Sequence, residues 1–408
     1  MSEKKKRDGH LLLRGASITG ARGVLSEGCL LIEQGRIKRV FGPEEPLPAH
    51  DVETIDLEGL TLLPGFIDIH IHGALGVDVN EADANGLGRV SRFLVARGVT
   101  SWLPTLVPAP DEDYASAARS VEQLMREQEH ETEAESRAAE EPGARALGLH
   151  YEGPFVSQHQ CGALRTQFFR SYAEPSDLER LALVGRADAV HMTTLAPEID
   201  GGVELVRELV ARDWVVSIGH TRAGVDVLEQ ARAAGARHMT HFMNAMPQFH
   251  HRTPGPVGWG LLADDVTCDL IADGVHCEAL ALRLAVRCKT PERIALISDA
   301  VAPTGLGEGE HRVWGETIRV EGGRTSNERG SIAGSVISML DAVRLCLSLG
   351  MTTAEVARMA AHVPARVLGI DADCGSIESG KRADLVALDA DFNVRLTVVG
   401  GRVAFRAD

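Results

Sequence analysis

The sequence predicts an α/β protein: a (β/α)8 TIM-type barrel with a small β-sandwich domain formed by both chain termini. Two observations lead to this prediction. Eight short apolar segments alternate with amphipathic helical stretches, and strand-like hairpin segments recur at both ends of the chain. Nearly continuous apolar runs suit strands buried on both faces, and their alternation with helices indicates parallel βα units. We expect 1–62 and 375–408 to form the β domain and 63–374 to form the barrel.

The composition is that of an ordinary globular protein. The chain has 408 residues, of which 44% are hydrophobic and 25% are charged. Lys and Arg number 42 and Asp and Glu number 58, so the formal net charge is −16. An acidic chain is repelled by phosphate backbones and anionic lipids, which argues against a nucleic acid or a membrane as a partner. If the ligand is an anion, local donors must attract it against this field.

Two further features predict the cellular location. No stretch approaches the roughly 20 uninterrupted apolar residues of a membrane-spanning helix, and residues 1–10 lack the apolar run of a signal peptide. The seven cysteines are scattered without CxxC spacing. This pattern suits a reducing compartment better than a disulfide scaffold or a cysteine-only metal site. We therefore expect a cytoplasmic protein.

The two ends of the chain have the same pattern of short strand-like runs. From Leu11 to Leu60, short apolar runs are separated by turns, with Gly-Arg after LLIEQ and Glu-Gly before LTLLP. Such pairs are typical of hairpin turns and predict a small antiparallel sheet. Residues 375–408 contain three more strand-like runs. We expect both ends to meet in one β domain.

Eight segments between the two ends are candidates for barrel strands because each is short and apolar. They are 61–72, 100–105, 146–153, 190–197, 214–220, 238–244, 267–273 and 293–300. Eight parallel strands are the number that closes a barrel of this type. The charged stretch 111–143 predicts a solvated helix and loop before the third strand. The Gly-rich, hairpin-like stretch 303–335 can act as a flap at the catalytic end of the barrel.

Five of the eight strand candidates end on side chains that can bind a metal. These side chains are His70 and His72 on the first strand, Glu152 on the third, His220 on the fifth, His241 on the sixth and Asp299 on the eighth. In a barrel these ends converge on the face where this fold places its chemistry. Alternation along a strand points His70 and His72 the same way. Imidazole and carboxylate together suit zinc or iron(II), so we predict a divalent-metal site.

Several sequence blocks resemble the N-acetylglucosamine-6-phosphate deacetylases of the amidohydrolase superfamily. In chain order these blocks are PGFIDIHIHG (64–73), GLHYEGPFVS (148–157), SIGHTRA (217–223), THFMNAM (240–246), RTPGPVG (252–258), LIADGVH (270–276), ISDAVAPTG (297–305) and GSIAGS (330–335). EGPF, FMNAM and IADGVH are far more specific than the paired histidines shared across the superfamily. The resemblance implies a metal-dependent barrel with a small β domain built from both chain ends.

The resemblance also implies a role for each metal-competent residue. Glu152, His220 and His241 are expected to bind the principal metal. His70 and His72 match the paired histidines of those family members that can hold a second metal near Glu152 and Asp299. One or two divalent ions per subunit, zinc or iron(II), are therefore expected.

The same resemblance implies the chemistry. Asp299 is similar to the general acid/base, and His276 is similar to the residue that contacts the substrate and helps polarise the acetamide carbonyl. An acetamide is a poor electrophile, and a metal lowers the pKa of its bound water from 15.7 to about 7. Asp299 is then expected to take a proton from the water and pass it to the leaving amine. The expected reaction converts N-acetyl-D-glucosamine 6-phosphate to D-glucosamine 6-phosphate and acetate.

Substrate binding is predicted for Asn244, Ala245, Arg252 and His276. Asn244 and Ala245 follow the sixth strand, so the side chain of Asn244 and the backbone N–H groups there can bind a phosphate or a sugar hydroxyl. Arg252 can form a fork onto phosphate oxygens. The resemblance also implies a homodimer, because relatives are often dimers in which the neighbour lends a phosphate contact.

The sequence departs from the family pattern at the substrate end. Leu164 stands where many relatives carry a histidine that helps bind the sugar phosphate, Thr253 replaces the usual Glu, and Tyr151 replaces the usual Leu. The residues that can take over phosphate contacts are His159, Arg165, His250 and His251. An alternative function is therefore deacetylation of another N-acetylated amino sugar, either N-acetylgalactosamine 6-phosphate or a non-phosphorylated sugar.

Two other classes of function fit less well. Dihydroorotase-like relatives bridge two metals with a carboxylated lysine on the fourth strand, and VHMTTLAP contains no lysine. A non-catalytic metal-bound scaffold has no need of a proton-transfer group, whereas this chain retains Asp299 and His276. We therefore predict a metal-dependent amidohydrolase that acts on a small amino-sugar phosphate.

Overall fold

A computed structural model of the chain describes residues 10–20, 23–47, 52–133 and 142–407. Its N-terminal strands are β1 (His10–Gly20), β2 (Gly23–Glu33), β3 (Arg36–Phe41), β4 (Glu53–Asp56) and β5 (Thr61–Pro64). The central strands are β6 (Phe66–Ile71), β7 (Gly73–Ala74), β8 (Val77–Asp78), β9 (Val99–Leu106), β10 (Arg145–Ala146), β11 (Gly148–Glu152), β12 (Val190–Leu195), β13 (Val215–Ile218), β14 (His238–Met239), β15 (Thr267–Ile271) and β16 (Ile294–Ile297). The remaining strands are β17 (Gly309–Val313), β18 (Glu316–Glu321), β19 (Arg324–Ser326), β20 (Leu385–Leu388), β21 (Val394–Val399) and β22 (Arg402–Arg406).

Helices fill most of the connections between the central strands and cover the segment before the C-terminal strands. They are α1 (Ala84–Val95), α2 (Asp111–Glu133), α3 (Gly202–Ala211), α4 (Val225–Ala234), α5 (Gly255–Leu262), α6 (Ala279–Lys289), α7 (Met339–Ser348), α8 (Thr353–Ala357) and α9 (Val363–Val367). A π-helical turn, Arg358–His362, joins α8 to α9. No helix among the described residues combines the length and apolar character needed to cross a bilayer.

Both ends of the chain form one sheet. Its order is β22-β21-β20-β5-β1-β2-β3, with β4 beside β1. The sheet has its own apolar core, in which Leu13, Leu30 and Leu385 lie together. The prediction of a small β domain built from both termini is confirmed. Because β5 spans the predicted boundary at residue 62, the limits of the domains stay a prediction.

Eight parallel strands form the barrel, as the sequence predicts. Neighbouring pairs run from β6 through β9, β11, β12, β13, β14 and β15 to β16, and the short β10 pairs with β9. The ring closes between β16 and β6, where the N–H of Asp299 donates to the carbonyl of His70 at 2.9 Å. The carboxylate of Asp68 strengthens this closure by accepting from Ser298 N at 3.2 Å and from Ser298 Oγ at 2.5 Å. Burial raises the pKa of Asp68 to about 6 in spite of these hydrogen bonds.

The sixth strand is much shorter than predicted. The candidate covers 238–244, but β14 ends at Met239, and the chain then takes left-handed conformations, with φ 28° at His241 and 49° at Ala245. His220 and Asp299, just after β13 and β16, are also left-handed, with φ 46° and 51°. Each such conformation costs about 1–3 kcal/mol for a residue other than glycine. The backbone strain therefore coincides with the positions predicted to carry function.

The charged stretch 111–143 is only partly solvated. It forms α2 as far as Glu133, and 134–141 lie outside the described residues. One face of α2 packs into the main core through Tyr114, Val121 and Leu124. The prediction of a helix is confirmed, but the helix is one of the layer that covers the barrel rather than a fully exposed insertion.

Strands β17, β18 and β19 form a three-stranded antiparallel hairpin sheet after the eighth barrel strand. Val313, Trp314 and Ile318 from this sheet pack with Leu164 and Val301 in a separate apolar cluster. We call the segment 309–326 the flap. It therefore lies against the catalytic end of the barrel through apolar contacts.

Candidate active site

Glu152 stands at the centre of the predicted metal-binding residues. Its Oε1 lies 2.8 Å from Nε2 of His220 and 2.9 Å from Nε2 of His241. The two imidazole Nε2 atoms are 3.1 Å apart. All three side chains are buried at the C-terminal ends of β11, β13 and β14. The third, fifth and sixth strands thus bring one carboxylate and two imidazoles to a single point.

The histidine pair of the first strand faces the same carboxylate. Nε2 of His72 lies 3.3 Å from Oε2 of Glu152, and Nε2 of His70 lies 3.8 Å from Oε1. The Nε2 atoms of His70 and His72 are 3.1 Å apart. Glu152 is therefore shared by two groups of three, one with His70 and His72 and the other with His220 and His241.

These groups fit a divalent metal. In each group the candidate ligand atoms lie within 4.8 Å of one another, and two imidazole nitrogens at 3.1 Å repel each other unless a proton or a cation lies between them. Two of the four rings have a partner at Nδ1, as in other metal sites: Nδ1 of His72 faces Thr105 O at 3.2 Å, and Nδ1 of His220 faces Gln160 O at 2.7 Å. Nδ1 of His70 and Nδ1 of His241 are buried without a hydrogen-bond partner. A ring that donates from Nδ1 presents the lone pair of Nε2 to the centre.

Asp299 lies next to the histidine pair. Its Oδ1 is 3.2 Å from Nε2 of His72 and 3.5 Å from Nε2 of His70. Burial opposes ionisation, but the hydrogen bond and the positive charge of the histidines hold the pKa of Asp299 below its usual value. For Glu152, burial is likewise outweighed by hydrogen bonds from His220, His241 and His70, so its pKa is well below normal. The lowered pKa values favour the ionised form of both carboxyls, which is the form that binds a metal.

A chain of buried hydroxyls supports the floor of this site. His150 Nε2 lies 2.8 Å from Thr194 Oγ1, which lies 2.6 Å from Thr240 Oγ1. Nδ1 of His150 lies 3.3 Å from Thr105 Oγ1, which accepts the N–H of Ile71 between the two paired histidines. Burial and the nearby His70 hold the pKa of His150 well below its usual value, so the ring is neutral. Both ring nitrogens of His150 are thus engaged by threonine hydroxyls.

His276 is held by Asp273, a residue that the sequence reasoning missed. Nδ1 of His276 lies 2.6 Å from Oδ2 of Asp273, and Oδ1 accepts the backbone N–H groups of Val275 and His276, each at 2.8 Å. Burial opposes ionisation of Asp273, but the contact with His276 lowers its pKa overall. The signal was present in the block IADGVH, where an Asp precedes the histidine by three residues.

Asp269 is a second carboxylate that was missed. It is fully buried in β15, accepts the backbone N–H of His241, and faces Nε2 of His238 at 3.0 Å. This contact holds the left-handed backbone of His241 at the end of β14. An Asp in the middle of the apolar run TCDLIAD is the feature that could have revealed it.

A cavity of about 320 Å³ opens onto the metal-binding groups. Its lining includes the predicted substrate residues Asn244, Ala245 and His276, together with Leu164 and Trp314. Arg252 is not part of the lining. It lies on an exposed loop, where its Nη1 is 2.9 Å from Nε2 of His251. Within one chain, the structure brings the predicted site residues together except for Arg252.

A larger cavity, of about 730 Å³, lies at the opposite end of the barrel strands. Two of its arginines face acidic groups, Arg237 with Asp265 and Arg293 with Asp264, and Arg366 donates to the backbone carbonyl of Glu292. Its one histidine, His238, has both ring nitrogens occupied, by Thr267 Oγ1 and Asp269. The chemistry therefore belongs to the smaller cavity at the C-terminal ends of the strands, as is usual for this fold.

Comparison with known proteins identifies the family. The sequence pattern of the Amidohydrolase family matches residues 61–404. The chain is similar to N-acetylglucosamine-6-phosphate deacetylase of Bacillus subtilis (strain 168), at 35% identity over 97% of each chain. It is also similar to N-acetylgalactosamine-6-phosphate deacetylase of Escherichia coli O157:H7, at 34% identity over 96% of this chain and 99% of that one.

A solved structure with a similar fold is that of a mutant N-acetyl-D-glucosamine-6-phosphate deacetylase from Mycobacterium smegmatis, in complex with N-acetyl-D-glucosamine 6-phosphate. The TM-score is 0.85 at 31% identity, covering 97% of this chain and 99% of that one. Family membership implies a divalent metal, in agreement with the two groups that share Glu152. The chain therefore belongs to the amidohydrolase family, among its N-acetylglucosamine-6-phosphate deacetylases.

Proposed function

We propose that the chain hydrolyses the acetamide of N-acetyl-D-glucosamine 6-phosphate to give D-glucosamine 6-phosphate and acetate. The observation that carries this proposal is the sharing of Glu152 between two pairs of histidines, with Asp299 and His276 beside the same cavity. A carboxylate that can bridge metals, a nearby proton acceptor and a histidine for the carbonyl are the groups that amide hydrolysis requires.

We propose that Glu152, His220 and His241 hold the principal ion and that His70 and His72 hold a second one. Nitrogen and oxygen donors of this kind suit zinc or iron(II). When bound, such an ion supplies Lewis acidity, which lowers the pKa of water and polarises a carbonyl oxygen.

Side chains of the protein transfer the proton and orient the substrate. Asp299 accepts a proton from the attacking water and delivers it to the amide nitrogen as the C–N bond breaks, so acetate and a free amine leave. His276, with Nδ1 held by Asp273, presents Nε2 to the carbonyl oxygen. Asn244 and the backbone at Ala245, which line the same cavity, bind the sugar.

We propose a homodimer in which Arg252 serves the site of the partner. Arg252 lies on an exposed loop outside its own cavity, although the block that contains it matches the family. On α6, Leu280 and Leu284 lie one turn apart and are 70% and 50% exposed, so the two side chains form an apolar stripe that a partner can cover. In the proposed dimer the partner covers these leucines, and Arg252 reaches the cavity of the partner instead of its own.

A cytoplasmic location stays a prediction.

Acetate release from purified enzyme tests the proposed function. The panel contains N-acetylglucosamine and N-acetylgalactosamine, each with and without a 6-phosphate. We expect N-acetylglucosamine 6-phosphate to have the highest kcat/KM. A clear preference for the galactosamine epimer would favour the second candidate, which is motivated by Leu164 and by the E. coli relative. No acetate from any substrate, with metal content restored, would contradict both.

A further inference from the structure

Trp314 lies at the tip of the flap and reaches the metal-binding residues. Val313 pairs with Glu316, so Trp314 and Gly315 form a two-residue hairpin loop with φ 54° and 78°. Positive φ at both central residues is the type I′ geometry that matches the twist of a hairpin. The indole is only 7% exposed, and its ring meets the ring of His72 edge to face at a centroid distance of 5.4 Å.

Leu164 continues the surface that Trp314 begins. It is 3% exposed, lies in the same apolar cluster as Trp314 and lines the same cavity. The family resemblance implies that many relatives carry a histidine at this position, so an apolar side chain stands here in place of a polar one. The lining also contains the polar residues Asn244 and His276 and the apolar residues Ile271 and Ile332. Trp314 and Leu164 belong to one apolar cluster and together form an apolar wall, and the contact of Trp314 with His72 places this wall next to the metal-binding residues.

The substrate offers one group that suits such a wall. If the proposed function holds, the ring carbons of the sugar carry oxygen or nitrogen substituents, and the methyl of the acetamide is the only wholly apolar group. The carbonyl must lie at the metal-binding residues, and the methyl is attached directly to its carbon. We infer that Trp314 and Leu164 form the wall against which the acyl group packs, and that they limit the length of the acyl chain that the enzyme accepts.

The inference rests on the proposed function and is tested with glucosamine 6-phosphates that carry N-acetyl, N-propionyl or N-butyryl groups. Release of glucosamine 6-phosphate gives the same readout for all three. We expect the parent enzyme to prefer acetyl. Trp314→Ala should raise the ratio of kcat/KM for butyryl over acetyl by about tenfold or more, the size of effect that one or two methylenes have in an apolar pocket. Leu164→Ala should shift the ratio in the same direction.

Val313→Ala is the matched control, because Val313 is buried beside Trp314 on the same hairpin but does not line the cavity. It should leave the acyl ratio unchanged. If Trp314→Ala fails to fold, Trp314→Phe and Leu164→Val decide the question through smaller shifts of the same sign. A parent active on the acetyl substrate with the same ratio in all variants would overturn this inference alone. A parent inactive on all three substrates would overturn the proposed function and this inference with it.

Discussion

The Nδ1 atom of His276 lies 2.6 Å from Oδ2 of Asp273, while the other oxygen of that carboxylate accepts two backbone N–H groups of the same loop. Asp273 therefore fixes both the path of the loop and the orientation of the ring. With Nδ1 engaged, Nε2 is the nitrogen left for the substrate, as in other sites where a carboxylate orients a histidine.

Asp273→Asn should lower kcat by about 10²-fold or more with little change in KM, because an amide in place of the carboxylate favours the wrong tautomer of the imidazole. Steady-state kinetics on N-acetylglucosamine 6-phosphate measure this, and metal analysis should find the parent content. Asp264→Asn, at an exposed carboxylate, is the control and should leave kcat and KM unchanged. A kcat near that of the parent would show that Asp273 has no part in orienting His276.

Asp299→Asn should reduce turnover by about 10²–10⁴-fold, the range expected for loss of a general acid/base. Metal content should stay nearly intact because Asp299 is proposed mainly as the proton-transfer group, whereas Glu152 and the four histidines form the two groups that can hold a metal. Rate measurement and elemental analysis on the same preparation test both statements. Activity within a few-fold of the parent would refute the proton-transfer role.

Substitution of the metal-binding residues should separate two sites. Glu152→Gln should lower the total metal content most, because both groups use this carboxylate. His220→Asn should remove the principal ion and the activity, whereas His70→Asn should remove only the second ion and spare part of the activity. The metal-to-protein ratio measured for each variant distinguishes these outcomes. The hierarchy is wrong if His70→Asn strips all metal while His220→Asn loses none.

Arg252→Met should cost about 2–4 kcal/mol in kcat/KM for the phosphorylated sugar and little for the sugar without phosphate, since a charge-assisted bidentate contact is lost. If Arg252 serves the partner, mixed dimers of Arg252→Met and Asp299→Asn contain one site with both native residues. Subunit exchange should then restore activity. Equal losses on both sugars would refute phosphate binding, and mixing without recovery would refute the contribution to the partner.

Thiol titration tests the burial of the cysteines. Cys288 is exposed and Cys161 is partly exposed, whereas the buried cysteines are Cys29, Cys268, Cys277, Cys346 and Cys374. Burial raises the pKa of Cys268 and Cys346 to about 12, which suppresses the reactive thiolate. Native protein should therefore show at most two reactive thiols with a disulfide reagent, because Cys288 follows Leu284 by one turn of α6 and the proposed dimer contact would shield it. Denatured protein should show all seven. A third fast thiol in the native state would contradict the described packing.

Much of the fold was predictable because its signals are local. The eight apolar segments and the hairpin turns at the ends each depend on a few neighbouring residues, and each of the eight segments overlaps a barrel strand. The length of β14 was not predictable. Its end at Met239 depends on Asp269, which holds the backbone of His241 from the next strand. The roles of the predicted site residues stay predictions, although the structure brings most of them to one cavity.

By itself, the sequence determined which short segments form the barrel strands, although not where β14 ends, because period-2 alternation and apolar runs decide burial locally. That was enough to place His70, His72, Glu152, His220 and His241 at one face. Only the tertiary structure decided which atoms meet there. Two features join segments that are far apart in the chain: two histidine pairs share one carboxylate, and Trp314 contacts His72. The tertiary structure also decided that Arg252 lies outside its own cavity. Such contacts depend on the paths of loops, and hydrophobic periodicity carries no information about those paths.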